Sequence, residues 1–337
     1  MPDNVLAWGI DLILSLQGWG EGLLGPMNFF TFLGREEFFL LLMPVLYWSV
    51  DSRVGLRIAI YLTTSSFLNG VVKVAFHAPR PYWFDTRVRL LGAPESSFGI
   101  PSGHAQNAVV IWGGLAAALR KGWGWVAAIA LMFLIGFSRL YLGVHFPTDV
   151  LAGWVIGGVL FGLLIWLESP VVRWFRRFTL RGQIAILFGL SLAAILVAAG
   201  SIRAVEAVFA LPAEWVQNAA LAAPEEPIAP LSLSGTITTA AAFFGLVAGA
   251  LWLERRGGFD VRGPLAARAG RFLVGLVGVL LFWMGLDVLF GLIAADESLL
   301  GYVLRFIRYS VVGAWITALA PLVFVRLKLS GHLLVRS

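Results

Sequence analysis

The chain has 337 residues, of which 59% are hydrophobic and 13% charged, with a net charge of +6 and a mean hydropathy of +0.85. So little polar surface excludes a soluble domain of this length and points to a polytopic membrane protein. The absence of cysteine excludes thiol catalysis, disulfide staples and Cys-based metal sites, and the cations lie in short runs between apolar segments, which fits membrane topology and not nucleic-acid binding.

No Lys or Arg precedes Trp8, so no cleaved leader is expected. Residues 4–17 place Leu6, Ile10, Ile13 and Leu16 on one helical face, the pattern of an interfacial helix lying on the membrane. About nine stretches then approach the ~20 apolar residues of a span: 36–50, 54–74, 102–120, 123–142, 148–168, 183–201, 235–253, 270–293 and 299–323. Basic residues alternate with them: Arg53 and Arg57, Arg120 and Lys121, Arg173 to Arg181, Arg255 to Arg271, and the tail from Arg326. With nine spans all of these fall on one side, which the positive-inside rule makes cytoplasmic. The N-terminus is then outside and the C-terminus inside. Opposite loops, 203–234 and 294–298, are acidic. The first of these is expected to hold a short surface helix. Gly153/Gly157 and Gly158/Gly162 read as sites of close helix packing. Asp287 and Arg305/Arg308 fall at similar depth on successive spans and are expected to form a buried ion pair. The organisation that results is an N-terminal interfacial segment (1–34), a core (35–170) and a C-terminal transmembrane extension (171–337).

Three polar clusters fall at the outer face in this topology. In "KVAFHAPRP", Lys73 ends a span and Arg80 sits between two prolines that hold the backbone extended. In "PSGH", Pro101 is a suitable first helical residue. The N–H groups of Ser102, Gly103 and His104 would then face outward at a positive helix end. In "GFSRLYLGVHFPTDVLAG", Arg139, His145 and Asp149 lie within eleven residues of one another. Two guanidinium forks and an ammonium suit a tetrahedral oxyanion, and Gly103 lets it approach while the Ser102 hydroxyl adds a hydrogen bond. Pro147 starts a helix, so Asp149 in its first turn can reach back, fix one nitrogen of His145 and leave the other free to attack phosphorus. His104 then serves as general acid and afterwards as base, and two histidines in opposite protonation states give a bell-shaped pH–rate profile. Tyr82, Trp83 and Phe84, which follow Arg80, are either an interfacial aromatic belt or a wall of the substrate pocket, and Asp85 either accepts from a sugar or glycerol headgroup in that pocket or is solvated. Glu95 in "APESSFG" has no assigned part.

Lys73-x6-Arg80-Pro81, Pro101-Ser102-Gly103-His104 and Ser138-Arg139-x5-His145-x3-Asp149 together resemble the three-part signature of the type 2 phosphatidic acid phosphatase (PAP2) superfamily. The resemblance implies an all-α polytopic helical bundle around a PAP2-type core. It implies a phosphohistidine formed on His145, phosphate ligands at Lys73, Arg80, Ser102, Gly103 and Arg139, and neither metal nor cofactor. The nine-span plan also resembles that of the glucose-6-phosphatase catalytic subunit. The expected activity is hydrolysis of a phosphate monoester or pyrophosphate on the extracytoplasmic or luminal side. The substrate class is a lipid phosphate such as undecaprenyl pyrophosphate, phosphatidic acid or phosphatidylglycerol phosphate. A sugar phosphatase and a lipid phosphotransferase are the alternatives. Membrane lipids are the expected partners, and the sequence leaves the oligomeric state open. A transporter that only holds phosphate would have no use for His104, His145 and Asp149 together.

Overall fold

The computed structural model describes residues 3–331, apart from the side chains of Asp3, Glu36, Glu37 and Leu40. The described residues are helical, with no strand. In chain order the α-helices are α1 (Asp3–Gln17), α2 (Leu24–Phe32), α3 (Glu36–Val45), α4 (Ser52–Phe76), α5 (Pro81–Phe84), α6 (Gly103–Leu119), α7 (Gly122–Tyr141), α8 (Pro147–Phe175), α9 (Leu180–Glu206), α10 (Ala213–Ala222), α11 (Ser234–Glu254), α12 (Leu265–Gly291), α13 (Leu299–Ala314) and α14 (Ala320–Arg326). Of the nine expected spans, seven are helices long and apolar enough to cross a membrane. The stretch at 36–50 is a ten-residue helix followed by one wide turn. The stretch at 102–120 is a 17-residue helix. At ~1.5 Å per residue, both are shorter than the ~30 Å hydrocarbon thickness.

The chain forms two compact units that do not follow its order. The first takes the described residues up to Phe39, then Leu68–Leu164 and Val197–Ser232. The second takes Leu40–Phe67, Ile165–Leu196 and the described residues from Leu233 onward. Helices α4 and α8 therefore contribute to both.

The first unit is organised around an apolar core of Leu6, Ile10, Ile13 and Leu16 from α1 with Tyr82, Trp83, Phe98, Tyr141, Val144 and Phe146. The stripe on α1 is thus buried against protein, where the sequence had suggested a membrane surface. Periodicity identifies an apolar face but not what covers it. Helix α10 is the short helix expected in the acidic loop. Its Ala219 joins this core, and Asn218 donates to the Trp83 carbonyl at 2.9 Å. Helices α6 and α8 approach closely where the first glycine pair lies. A Cβ on Gly153 would stand 2.7 Å from the Ser102 carbonyl oxygen, and one on Gly157 would stand 2.8 Å from that of Gln106. Nothing lies within 4 Å of a Cβ on Gly158 or Gly162.

In the second unit, Trp48, Val279, Val312, Ile316 and Phe324 form a separate core. The Trp48 indole donates to the Ile316 carbonyl at 2.7 Å. The ion pair expected between successive spans is present as Asp287–Arg308, but only its arginine is buried, the Asp287 side chain being 58% exposed, while Arg305 pairs with Asp296 at 3.3 Å.

Candidate active site

Each site residue is delivered by the end of a helix or by a turn that the sequence specifies. Lys73 lies in the last turn of α4, and its ammonium donates to the Phe98 carbonyl at 2.5 Å. Arg80 is extended (φ −95°, ψ 158°) between its two prolines and opens α5. Its fully buried guanidinium makes a dense set of contacts. Nε donates to the Ser97 carbonyl at 2.7 Å, Nη1 to the Val144 carbonyl at 2.9 Å, and Nη2 to the Ser97 hydroxyl at 3.1 Å.

Ser102 is the N-cap of α6, and its Oγ accepts the Ala105 N–H at 3.4 Å. The helix therefore begins at Gly103, two residues later than Pro101 had suggested. The Ser102 N–H is used, donating to the Asp149 carbonyl at 2.9 Å. The first-turn donors left by the cap are those of Gly103 and His104. The Nε2 of His104 is buried and has no hydrogen-bond partner.

Arg139 ends α7, 2% exposed, and donates to the Thr31 hydroxyl and to Glu95. The chain then turns through Gly143 at φ 74°. A Cβ there would stand 2.5 Å from the Arg89 carbonyl oxygen, so the turn needs glycine. Pro147 begins α8 as expected. Asp149 Oδ2 reaches back to accept the Phe146 N–H at 2.9 Å and faces His145 Nδ1 at 3.1 Å.

These contacts fix the tautomer of His145. The guanidinium of Arg80 has donors only, and its Nη1 stands 3.2 Å from His145 Nε2. Nε2 must therefore carry the lone pair, and the proton sits on Nδ1 facing Asp149. Burial, and next the Arg80 charge, hold the imidazole well below its ordinary value of 6.5, so the ring is neutral at pH 7 with Nε2 unprotonated beside Arg80.

Glu95 is the residue the sequence left without a part. One carboxylate oxygen lies 2.5 Å from Arg80 Nη2 and the other contacts Arg139 Nη2. Burial would raise this carboxyl, but Arg80 and Arg139 outweigh it and hold the group well below the usual carboxylate range. His145 and His104 also bear on its charge. An anion thus already bridges the two guanidinium forks, at the place the signature residues converge.

Tyr82 and Trp83 are buried in the apolar core. The Tyr82 hydroxyl donates to the Glu95 carbonyl at 3.0 Å and accepts the Glu95 N–H at 3.1 Å, so it holds the loop that carries the carboxylate. Asp85 is taken by Arg87, whose Nη2 lies 2.7 Å from Oδ2. Hydrogen bonds from Arg87 hold Asp85 below its ordinary value. In this structure, then, Tyr82 and Trp83 are packed core and Asp85 is held in a local ion pair. Among the described residues, no three His, Asp or Glu side chains cluster as metal ligands would.

The PAP2 superfamily profile matches residues 54–173, and that of the PAP2 superfamily phosphatase transmembrane extension matches residues 237–332. The chain is 33% identical over 163 residues to phosphatidylglycerophosphatase B of Bacillus subtilis, covering 44% of this chain and 76% of that one. It is 31% identical over 147 residues to an undecaprenyl-diphosphatase of Sulfolobus acidocaldarius, covering 43% of this chain and 70% of that one. With glucose-6-phosphatase 3 of Mus musculus the identity is 28% over 216 residues, 56% of this chain and 61% of that one. Two relatives above 30% identity, each matched over more than two thirds of its length, make this chain a member of the PAP2 superfamily of membrane phosphatases.

Proposed function

We propose that this protein hydrolyses a lipid phosphate or pyrophosphate through a phosphohistidine on His145, at the extracytoplasmic face. The observation that carries the reading is the orientation of His145: Nδ1 on Asp149, Nε2 beside Arg80, with a second guanidinium bridged to the first by one carboxylate. The phosphoryl group displaces Glu95 and takes its place between the forks of Arg80 and Arg139. The N–H groups of Gly103 and His104 complete the cradle at the positive end of α6, and Lys73 adds charge while bracing the 98–99 carbonyls. Ser102 acts mainly as the cap that orients this helix end.

His145 Nε2 attacks phosphorus. The P–N bond forms as the bond to the leaving oxygen breaks, and His104 donates a proton to that oxygen. Asp149 stabilises the positive charge on the ring. Neutral His104 then takes a proton from water. The water oxygen attacks phosphorus, the P–N bond breaks, and inorganic phosphate leaves. The charge for both steps comes from Lys73, Arg80 and Arg139, so the scheme calls for no metal. An alcohol in place of water would give phosphotransfer by the same route.

Support for a lipid substrate comes from the two relatives above 30% identity, both named for lipid phosphates. A sugar phosphate is favoured by the longer 216-residue match to glucose-6-phosphatase 3. The extracytoplasmic face is supported by α8 itself, which carries Asp149 in its first turn and Arg173 in its last, followed by Arg176, Arg177 and Arg181. Hydrolysis of a phosphate panel, with kcat/KM for each, tests the substrate class. Acid-labile, base-stable label on the protein after brief exposure to a 32P-labelled substrate, absent in His145→Ala, tests the intermediate. The chain lacks cysteine, so a single engineered cysteine at the site, probed with an impermeant thiol reagent, tests the face.

A further inference from the structure

Thr31 lies in the last turn of α2, ahead of the stretch that the PAP2 profile matches and outside the three-part signature. It carries a hydroxyl within a run of apolar side chains, "PMNFFTFLG". The residue is 1% exposed, and a buried hydroxyl needs a polar partner. That partner is Arg139, whose Nη1 donates to Thr31 Oγ1, where α2 packs on α7. The turn after α2 meets the site a second time: a Cβ on Gly34 would stand 3.0 Å from His104 Cδ2. An N-terminal helix thus reaches one of the phosphate-binding cations directly.

The three nitrogens of Arg139 are used differently. Nη1 is held by Thr31 and Nη2 by Glu95. Nε is buried and has no hydrogen-bond partner among the described residues. In a planar guanidinium, Nε and Nη2 form one edge that two phosphate oxygens can take side by side, and Nη1 points away from that edge. Glu95 occupies the Nη2 corner of the edge alone. We propose that Thr31 is a positioning residue: by holding Nη1 it keeps the Nε–Nη2 edge of Arg139 facing the phosphoryl seat when the substrate takes the place of Glu95. The proposal rests on the phosphatase reading given above. In that exchange Nη2 passes from a carboxylate oxygen to a phosphoryl oxygen and Nε gains an acceptor, while the Thr31 contact stays as it is. Without the hydroxyl, the guanidinium pivots on its stem and meets the transition state in the right orientation only part of the time.

Thr31→Val keeps the shape and removes the acceptor. In the purified full chain in detergent, with phosphatidic acid or farnesyl diphosphate as substrate, it is expected to lower kcat by about tenfold and to raise the inhibition constant of inorganic phosphate by about fivefold. Thr31→Ser restores the hydroxyl and is expected to stay within about twofold of wild type. A double-mutant cycle separates positioning from packing. In an Arg139→Lys background, Thr31→Val is expected to change kcat by less than about twofold, because lysine has no Nη1 to hold. Losses that multiply in the double variant, a Ser variant as impaired as the Val variant, or a Val variant with wild-type kcat would each overturn the assignment. Thr31→Ala takes the place of Val in the same cycle if the Val variant does not fold. Wild-type protein that hydrolyses neither substrate would instead sink the phosphatase reading. The rise in unfolding midpoint on adding inorganic phosphate, expected to be smaller in Thr31→Val than in wild type, tests the hold on Arg139 without turnover, so the two failures are distinguishable.

Discussion

Arg80 and Arg139 in the first unit and Arg271 and Arg308 in the second are all buried, yet they are satisfied in different ways. Arg271 donates to the backbone carbonyls of Asp260 and Val261 at 2.7 and 2.6 Å, and Arg308 pairs with Asp287 on the neighbouring helix. Both partners are fixed parts of the fold, and the charge is spent holding helices. Arg80 and Arg139 share a carboxylate that comes from a loop, and beside it stands an imidazole whose unprotonated Nε2 faces Arg80. A buried arginine is therefore no sign of a site in itself. On the proposed function, what marks the site is a partner that another anion replaces, next to an imidazole held in one tautomer.

The comparison breaks first at His145. His145→Ala is expected to reduce turnover by about a thousandfold or more while the protein still folds; retained turnover would mean that the ring is only packing. The pH dependence sharpens the same point. The folded-state value of His145 is lowered, so the ring stays neutral as pH falls through 6.5, and the nucleophile is lost only at lower pH, where it finally takes up a proton. The acid limb of kcat/KM that reports His145 in the free enzyme is expected well below pH 6.5.

Next come paired arginine substitutions, one in each unit. Arg139→Lys loses the fork and is expected to cost about 10²–10³-fold in kcat. Arg308→Met is expected to leave kcat unchanged but to destabilise the protein by on the order of 2 kcal/mol, because it strands Asp287; adding Asp287→Asn should recover most of that loss. Thermal unfolding in detergent beside activity measurements reads both. A kcat loss in Arg308→Met comparable to that of Arg139→Lys would erase the distinction between the two units.

A smaller effect is expected at Glu95. On the proposed function a phosphate displaces this carboxylate, so its apparent affinity is reduced to the fraction of time the seat is open. Glu95→Gln keeps the shape but gives up the charge. The inhibition constant for inorganic phosphate is expected to fall about tenfold, with product release becoming slower. An unchanged constant would make Glu95 a fixed structural bridge like Asp287.

The residues most legible in the sequence were those whose role is bound to local geometry. Pro79 and Pro81 fix Arg80, and Pro147 with Asp149 four residues after His145 fixes that imidazole, whereas the start of α6 was read two residues early, at Pro101, because the cap by Ser102 was not recognised. The Asp287–Arg308 pair could be read from depth along two helices. Glu95 could not, since a lone acid in a Pro/Ser/Gly loop has no periodicity and its partners lie on other segments. A signal was present nevertheless: it is the only acid between Asp85 and Asp149, in a stretch whose cations need a counter-charge. The stripe on α1 was visible, but whether lipid or protein covers it depends on tertiary packing.

The smallest expected effect concerns the glycines of α8, which the sequence presents as two equivalent pairs. Gly153→Ala would bring a Cβ 2.7 Å from the Ser102 carbonyl oxygen, and that atom belongs to the cap of the helix carrying His104. Backbone cannot rotate away as a long side chain can, so α8 and α6 must separate, at about 1–3 kcal/mol. Asp149 would move with α8 and His104 with α6, so kcat should fall along with stability. Gly158→Ala meets nothing within 4 Å. It gains helix propensity and is expected to be neutral or to stabilise by about 0.5–1 kcal/mol, with kcat unchanged. Unfolding midpoints and kcat for the two variants separate a contact that sets catalytic distances from one that only resembles it in sequence. If Gly153→Ala lowered stability but left kcat intact, the contact between α6 and α8 would support the fold without setting the distance between acid and nucleophile.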